Sequence, residues 1–183
     1  MQFISENFWK TYRRTVYFDP INACYIKHFH YLNQDWYTDH VKIVNKYFPG
    51  YILNNKFNTA KNRMEFKYKA IEGQTFNDAR YSYTYEQINS VFEYCIRDIE
   101  RTWPYKLNDW ALSNIIITPN NHVKYVDLDT FHDPTELPSK IKTVKQIKKD
   151  FEGGFQKTDW KKFVMWRKHN TCQKLLQQYG IIL

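Results

Sequence analysis

The sequence predicts an α+β fold: an N-terminal antiparallel sheet with one inserted helix over residues 1–73, then a mainly helical part over residues 74–183 that carries a single β-hairpin. Three observations predict it. Runs of β-branched and aromatic residues, paired around turn-forming stretches, fill most of residues 12–71. A stretch with apolar residues every three or four positions interrupts them between residues 33 and 48. After Gly73 the helical period takes over and is broken by only one further pair of short apolar runs.

The elements follow in order. Residues 12–31 read as two strands joined at Asp19-Pro20-Ile21-Asn22, because Asp-Pro initiates turns between extended segments. Asn33 suits the cap of a helix whose inward positions are Trp36, His40, Val44 and Tyr47/Phe48, and Pro49-Gly50 stops it. Residues 51–73 give two more strands around an Asn-rich turn, with Gly73 as the break. Thr84 and Gln87 form a capping-box start for a helix with Ile88, Val91, Phe92, Cys95, Ile96 and Ile99 on one face, running to about Thr102 and halted at Pro104. Asn114–Thr118 and Val123–Val126 are short strands about Pro119-Asn120-Asn121. A Lys-rich helix from about Ser139 to Phe151, a break at Gly153-Gly154 and one last helix capped by Thr158 complete the chain.

Bulk properties bound the function. A length of 183 residues with 19% aromatic side chains supplies a real core, for one domain or two small lobes, and argues against disorder. The formal charge of +8 attracts anionic partners: nucleotides, phosphorylated sugars, nucleic acid or acidic proteins. Cys24, Cys95 and Cys172 are odd in number and widely spaced, so neither a disulfide framework nor a zinc knuckle is indicated and a reducing, cytoplasmic setting is expected. His28 and His30 have the strand spacing of a zinc pair, but no third ligand follows. No signal-like segment leads the chain and no apolar run is long enough to span a membrane.

The residues that point to chemistry lie in DWALSNIIITPNNHVKYVDLD, Asp109 to Asp129. An Asp stands five residues before an Asn, a hairpin follows, and two aspartates close it. Asp109, Asn114 and Asp127 occur in the order and spacing of the protein-kinase catalytic loop and its metal-binding aspartate. Upstream, Ala23-Cys24-Tyr25-Ile26-Lys27 resembles the strand segment whose Lys contacts the α and β phosphates of ATP, and residues 64–73 resemble the strand and hinge where adenine is held. Over roughly residues 12–130 the chain therefore resembles the protein-kinase-like superfamily.

The resemblance implies a minimal bilobal kinase-like fold, with residues 1–73 as nucleotide clamp and 74–183 as a reduced lower lobe. It also implies ATP and Mg²⁺ as cofactors: Asp109 as the catalytic residue, Lys27 and Asp39 as nucleotide-site residues, and Asn114, Asp127 and Asp129 as metal ligands. Asp39 is the acidic candidate for pairing Lys27 from the helix, with Asp35 as the fallback.

Departures shape the expected activity. Leu107 replaces the bracing His of the loop, no glycine precedes Gly50, and Ser5-Glu6-Asn7 stands where a Gly-rich phosphate loop is expected. Ala111 replaces a Lys, and Asp127-Leu128-Asp129 replaces Asp-Phe-Gly. Asp127-Leu128-Asp129 resembles the Asp-x-Asp or Asp-x-Glu of aminoglycoside phosphotransferase-like and sugar-kinase-like relatives, and both changes point away from a conventional protein kinase. The leading expectation is an ATP/Mg²⁺-dependent phosphotransferase acting on a hydroxyl of a small molecule or sugar rather than of a protein. The alternatives are a pseudokinase serving as a binding or regulatory module and a basic nucleic-acid-binding protein whose Asp/Asn cluster is incidental. No residue pattern specifies an oligomeric state.

Overall fold

The computed structural model describes residues 1–8, 13–30, 34–105, 111–128, 140–154 and 160–182, with Trp160 described in its backbone alone. Contacts divide the chain into two compact units, Met1–Ala70 and Ile71–Leu183.

Within the first unit, β1 (Gln2–Phe8), β2 (Arg13–Asp19), β3 (Cys24–His30), β4 (Ile52–Asn58) and β5 (Arg63–Lys69) form an antiparallel sheet in the order β1-β2-β3-β5-β4. The β2–β3 turn is an Asx turn: Asp19 Oδ1 accepts the amides of Ile21 and Asn22. Asn62, in the left-handed region at φ 41°, closes the 3-10 turn Thr59–Lys61 between β4 and β5. α1 (Gln34–Tyr47) lies against the sheet with His40, Ile43 and Val44 buried, and aromatic rings make that interface. Trp36 meets Phe29 at 5.5 Å, and Tyr37 and His40 meet Phe66 at 5.4 and 5.1 Å. Offset and edge contacts of this kind add to the roughly 1.5–3 kcal/mol each buried ring supplies by leaving water.

Ser5, Glu6 and Asn7 do not form a loop. They are paired on β1 with Val16, Thr15 and Arg14, beside a bulge between Phe3 and Ser5. Residues 9–12, which join β1 to β2, lie outside the described residues, as does the Asn33 cap. β1 escapes a period-2 reading because it is an edge strand, with Phe3, Ile4 and Phe8 exposed.

The second unit is organised on α3 (Tyr85–Thr102), preceded by β6 (Gln74–Thr75) and α2 (Phe76–Ala79). The Thr84/Gln87 capping box forms as expected, and the predicted apolar stripe is buried. Phe92 sits at the centre, 5.2 Å from Phe151 of α4 (Lys140–Gly153) and 5.4 Å from Trp166 of α5 (Trp160–Lys168), both edge-to-face. β7 (Ile115–Ile117) pairs with β8 (Val123–Tyr125) and with β6. Gly73 has φ 149°, and a Cβ there would stand 2.3 Å from the carbonyl oxygen of Ile117, so both the backbone angle and the close approach require glycine.

The expected single C-terminal helix is two. α5 ends at Lys168, His169 takes an extended φ/ψ of −61°/130°, and α6 (Asn170–Gln178) begins. Ring packing explains the break: Phe163 and Trp166 of α5 and Cys172 and Leu176 of α6 are all buried, and His169 packs on Tyr85 at 5.8 Å. Thr158 lies outside the described residues. Among the described residues the fold is a mixed α and β structure with six helices, none long and apolar enough to cross a membrane.

Candidate functional site

Lys27 lies on β3 between Val16 of β2 and Phe66 of β5, and the register puts Lys27, Phe29, Phe66 and Tyr68 on the sheet face that meets α1. The residue is 6% exposed, which is uncommon for lysine and requires that its charge be compensated by its surroundings. One such group is Tyr68: the Lys27 ammonium stands 5.1 Å from the ring centroid, within cation–π range. The Tyr68 hydroxyl in turn shares a 3.1 Å hydrogen bond with Nε2 of His40. His40, fully buried, is stacked on Trp36 at 4.7 Å with the rings 7° from parallel.

The acidic residues expected on this helix are placed differently. Asp39 and Asp35 are both exposed on α1, while Lys27 is buried. Among the α1 side chains turned toward the sheet is His40, which the apolar spacing marks as inward; its bond to Tyr68 carries no signal in the sequence.

The opposite face of β3 holds His28, whose Nε2 is 3.1 Å from Glu65 Oε2, with Lys56 Nζ 3.0 Å from Glu65 Oε1. Burial pushes the His28 imidazole below its ordinary range, against the pull of Glu65. Burial alone would raise Glu65, but the Lys56 and His28 contacts outweigh it and hold the carboxyl low. His28 is thus engaged by a carboxylate, and among the described residues no three His, Cys, Asp or Glu side chains cluster as a metal-binding group.

In the second unit two of the predicted ligands, Asn114 and Asp127, flank the open end of the β7–β8 hairpin. A 3-10 turn, Leu112–Asn114, leads into β7, with the Asn114 amide donating to the Ala111 carbonyl at 2.8 Å. Thr118 and His122 close the hairpin, Asn121 adopting the left-handed φ of 58° that asparagine tolerates. At the open end the Val126 amide donates to the Asn114 carbonyl at 2.9 Å. Asp127 follows at φ 61°, a left-handed conformation that costs a non-glycine residue about 1–2 kcal/mol. The turn there buries Leu128 to 1% exposure while Asp127 stays half-exposed. Tyr125, two residues earlier, is buried with its hydroxyl 3.9 Å from Cys95 Sγ, which seats the hairpin on α3.

Asn114 and Asp127 present hard oxygen donors, the class Mg²⁺ accepts. Mg²⁺ is commonly held by one or two carboxylates, with phosphates and water filling its shell, so the donor set fits that ion. Asp109 and Asp129 lie outside the described residues. A cleft of about 400 Å³ at the closed end of the hairpin is lined by Tyr83, Tyr94, Asn120 and His122 among others, with no Lys, Arg, Asp or Glu to engage phosphate.

No protein-family model matches the chain, and no curated protein matches it. Solved structures do. Monomeric WbdD aligns at TM-score 0.53 and 12% identity over 93% of this chain and 44% of its own. WbdD described as a bifunctional kinase–methyltransferase aligns at 0.52 and 11%, over 93% and 42%. WbdD in complex with the kinase inhibitor LY294002 aligns at 0.51 and 11%, over 97% and 45%. The chain spans less than half the length of these solved chains, and at such identity the likeness is one of fold: nearly all of this chain takes a mixed α and β architecture similar to part of WbdD.

Proposed function

We propose that the chain is an ATP- and Mg²⁺-dependent phosphotransferase acting on the hydroxyl of a small molecule or sugar. The observation that carries this reading is the Asn114–Val126 bond, which holds Asn114 beside Asp127 at the open end of the hairpin, on a chain similar in fold to a bifunctional kinase–methyltransferase. In this reading residues 1–73 clamp the nucleotide and residues 74–183 carry the catalytic loop and the metal-holding hairpin.

Asn114 and Asp127 hold Mg²⁺, with Asp129 as a further ligand; bound there, the ion neutralises phosphate charge. Lys27 contacts the α and β phosphates, and its burial strengthens that contact because little water screens it. Asp109 orients the acceptor hydroxyl for in-line attack on the γ-phosphate. The protein contributes positioning and a prearranged field rather than a covalent step. The opposing burial of Lys27 and Asp39 gives no support to a pairing between them, so Asp39 receives no role in the transfer.

A second reading, a pseudokinase serving as a binding or regulatory module, is favoured by one observation: the imidazole of His40 on α1 bonds the Tyr68 hydroxyl of the sheet, while Asp35 and Asp39 are exposed. ADP release in Mg²⁺-ATP with a panel of sugars and small alcohols separates the two. The enzyme reading expects acceptor-dependent release that Asp109→Ala lowers by about 10²–10⁴-fold. Binding of Mg²⁺-ATP with no release under any condition would establish the pseudokinase.

A further inference from the structure

We propose that the cleft between α3 and the tip of the β7–β8 hairpin binds an uncharged sugar unit. It lies at the closed end of the hairpin, away from Asn114 and Asp127 at the open end, so it is a second ligand site and stands whether or not the chain transfers phosphate.

Both walls are set by the backbone. Gln87, Ser90, Val91 and Tyr94 recur along α3 at the spacing that puts side chains on one helix face. Opposite them stands the hairpin tip, Asn120 to His122, which Thr118 holds in place. The Thr118 carbonyl accepts the Asn121 amide at 2.8 Å, its hydroxyl accepts the His122 amide at 3.1 Å, and its own amide donates to the His122 carbonyl at 3.0 Å. The cleft measures about 400 Å³, within the roughly 300–1,000 Å³ of small-molecule sites. Val91, Ile117 and Val123 are buried and give it an apolar base. Walls fixed beforehand spare a ligand the cost of ordering them.

The lining selects the ligand. Among the described residues no Lys, Arg, Asp or Glu lines the cleft, so a phosphate, carboxylate or ammonium would leave water without a counter-charge. The polar groups that do line it are amides, phenols, a hydroxyl and an imidazole, which between them donate and accept, as the hydroxyls of a sugar do. Burial raises the Tyr83 and Tyr94 phenols, so both keep their protons. Gln87 and Ser90 are partly used within the helix, by the Thr84 amide and the Glu86 carbonyl. The exposed side chains of Asn120, Asn121 and His122 make no such bond among the described residues. Tyr94, 42% exposed, adds an aromatic surface, and the negative face of its ring attracts the weakly positive C–H groups on one side of a pyranose. A hydrocarbon would strip water from the tip amides and return no bond.

Saturation-transfer NMR on the full chain, without nucleotide, tests this with the methyl glycosides of glucose, galactose, mannose and N-acetylglucosamine, and with methyl glucuronide as the charged counterpart. A neutral glycoside is expected to bind, with transfer concentrated on the C–H protons of one ring face. Tyr94→Ala removes the stacking surface and weakens that binding about tenfold, while Tyr94→Phe keeps most of it. Asn121→Gly accepts the φ of 58° freely and removes one amide, weakening binding about threefold without disturbing the turn. Both positions are exposed, so the variants are expected to melt as the wild type does. No transfer to any neutral glycoside, equal binding by wild type and Tyr94→Ala, or tighter binding of the glucuronide than of every neutral glycoside each overturns the proposal. Those outcomes leave the phosphotransfer reading untouched, because no ATP is present.

Discussion

The carbonyl of Asn114 accepts the amide of Val126 at 2.9 Å, and the next residue, Asp127, stands in the left-handed region at φ 61°. The bond ties the exit of the 3-10 turn to the end of β8, and the unusual backbone angle ends that strand while Leu128 is buried. A conformation that costs free energy at a residue with candidate chemistry is where function and stability are expected to oppose each other.

Substitution at 127 separates the two. Without nucleotide, Asp127→Gly is expected to match or exceed wild-type stability by up to about 1 kcal/mol, because glycine adopts positive φ freely. Asp127→Ala is expected to lose about 1 kcal/mol, since alanine lacks both that freedom and the local bonding of aspartate. Urea denaturation of the three proteins measures the difference.

Phe92 joins α3 to α4 and α5 through its contacts with Phe151 and Trp166 and is fully buried. Truncation to alanine leaves a cavity the rings cannot refill and is expected to cost about 3–5 kcal/mol. Chemical denaturation would show it; a cost below about 1 kcal/mol would mean that the three helices do not share this core.

The His28–Glu65 pair predicts a direction for pH dependence. The folded His28 lies below its ordinary 6.5, so the unfolded chain takes up a proton first and stability falls as pH drops beneath about that value. The folded Glu65 lies below its ordinary 4.5, so its contribution, present above that pH, is lost on further acidification through the folded pKa. Both effects have the same sign, and thermal melts from pH 7 to pH 4 should show a steady decline. Glu65→Gln should flatten the acid end of that decline.

The thiols give a check on packing. Cys24, Cys95 and Cys172 are all buried, and burial pushes Cys95 and Cys172 up to about 12, far from the reactive thiolate. A disulfide reagent such as DTNB is expected to label no cysteine rapidly in native protein and all three in denaturant.

The parts of this fold that were legible in sequence are those whose signals are local. Thr84 and Gln87 mark the start of α3 because a capping box needs only neighbours, and the Asp19-Pro20 turn marks the β2–β3 hairpin for the same reason. What escaped is set by tertiary context. β1 carries exposed apolar residues at a sheet edge, β6 and α2 are too short for any period to register, and the break at His169 follows from how Trp166 and Leu176 pack rather than from a Pro or Gly. The site divides likewise. The strand that carries Lys27 and the hairpin flanked by Asn114 and Asp127 were legible as secondary structure, from β-branched runs and turn residues. Asp39 stands out as an acidic candidate on α1 because charge is visible in the sequence. A histidine made inward by the helical period, bonded to a tyrosine 28 positions away, is visible only in three dimensions.

The central claim is that Asn114 and Asp127 hold a metal-bound nucleotide, and titration of Mg²⁺-ATP followed by melting temperature tests it most directly. The account predicts a rise with ligand that corresponds to about 2.7 kcal/mol at a hundred times Kd, dependent on Mg²⁺ and abolished in both Asp127→Ala and Asn114→Ala. An unmoved melting temperature in the wild type, or an equal rise in Asp127→Ala, would contradict it.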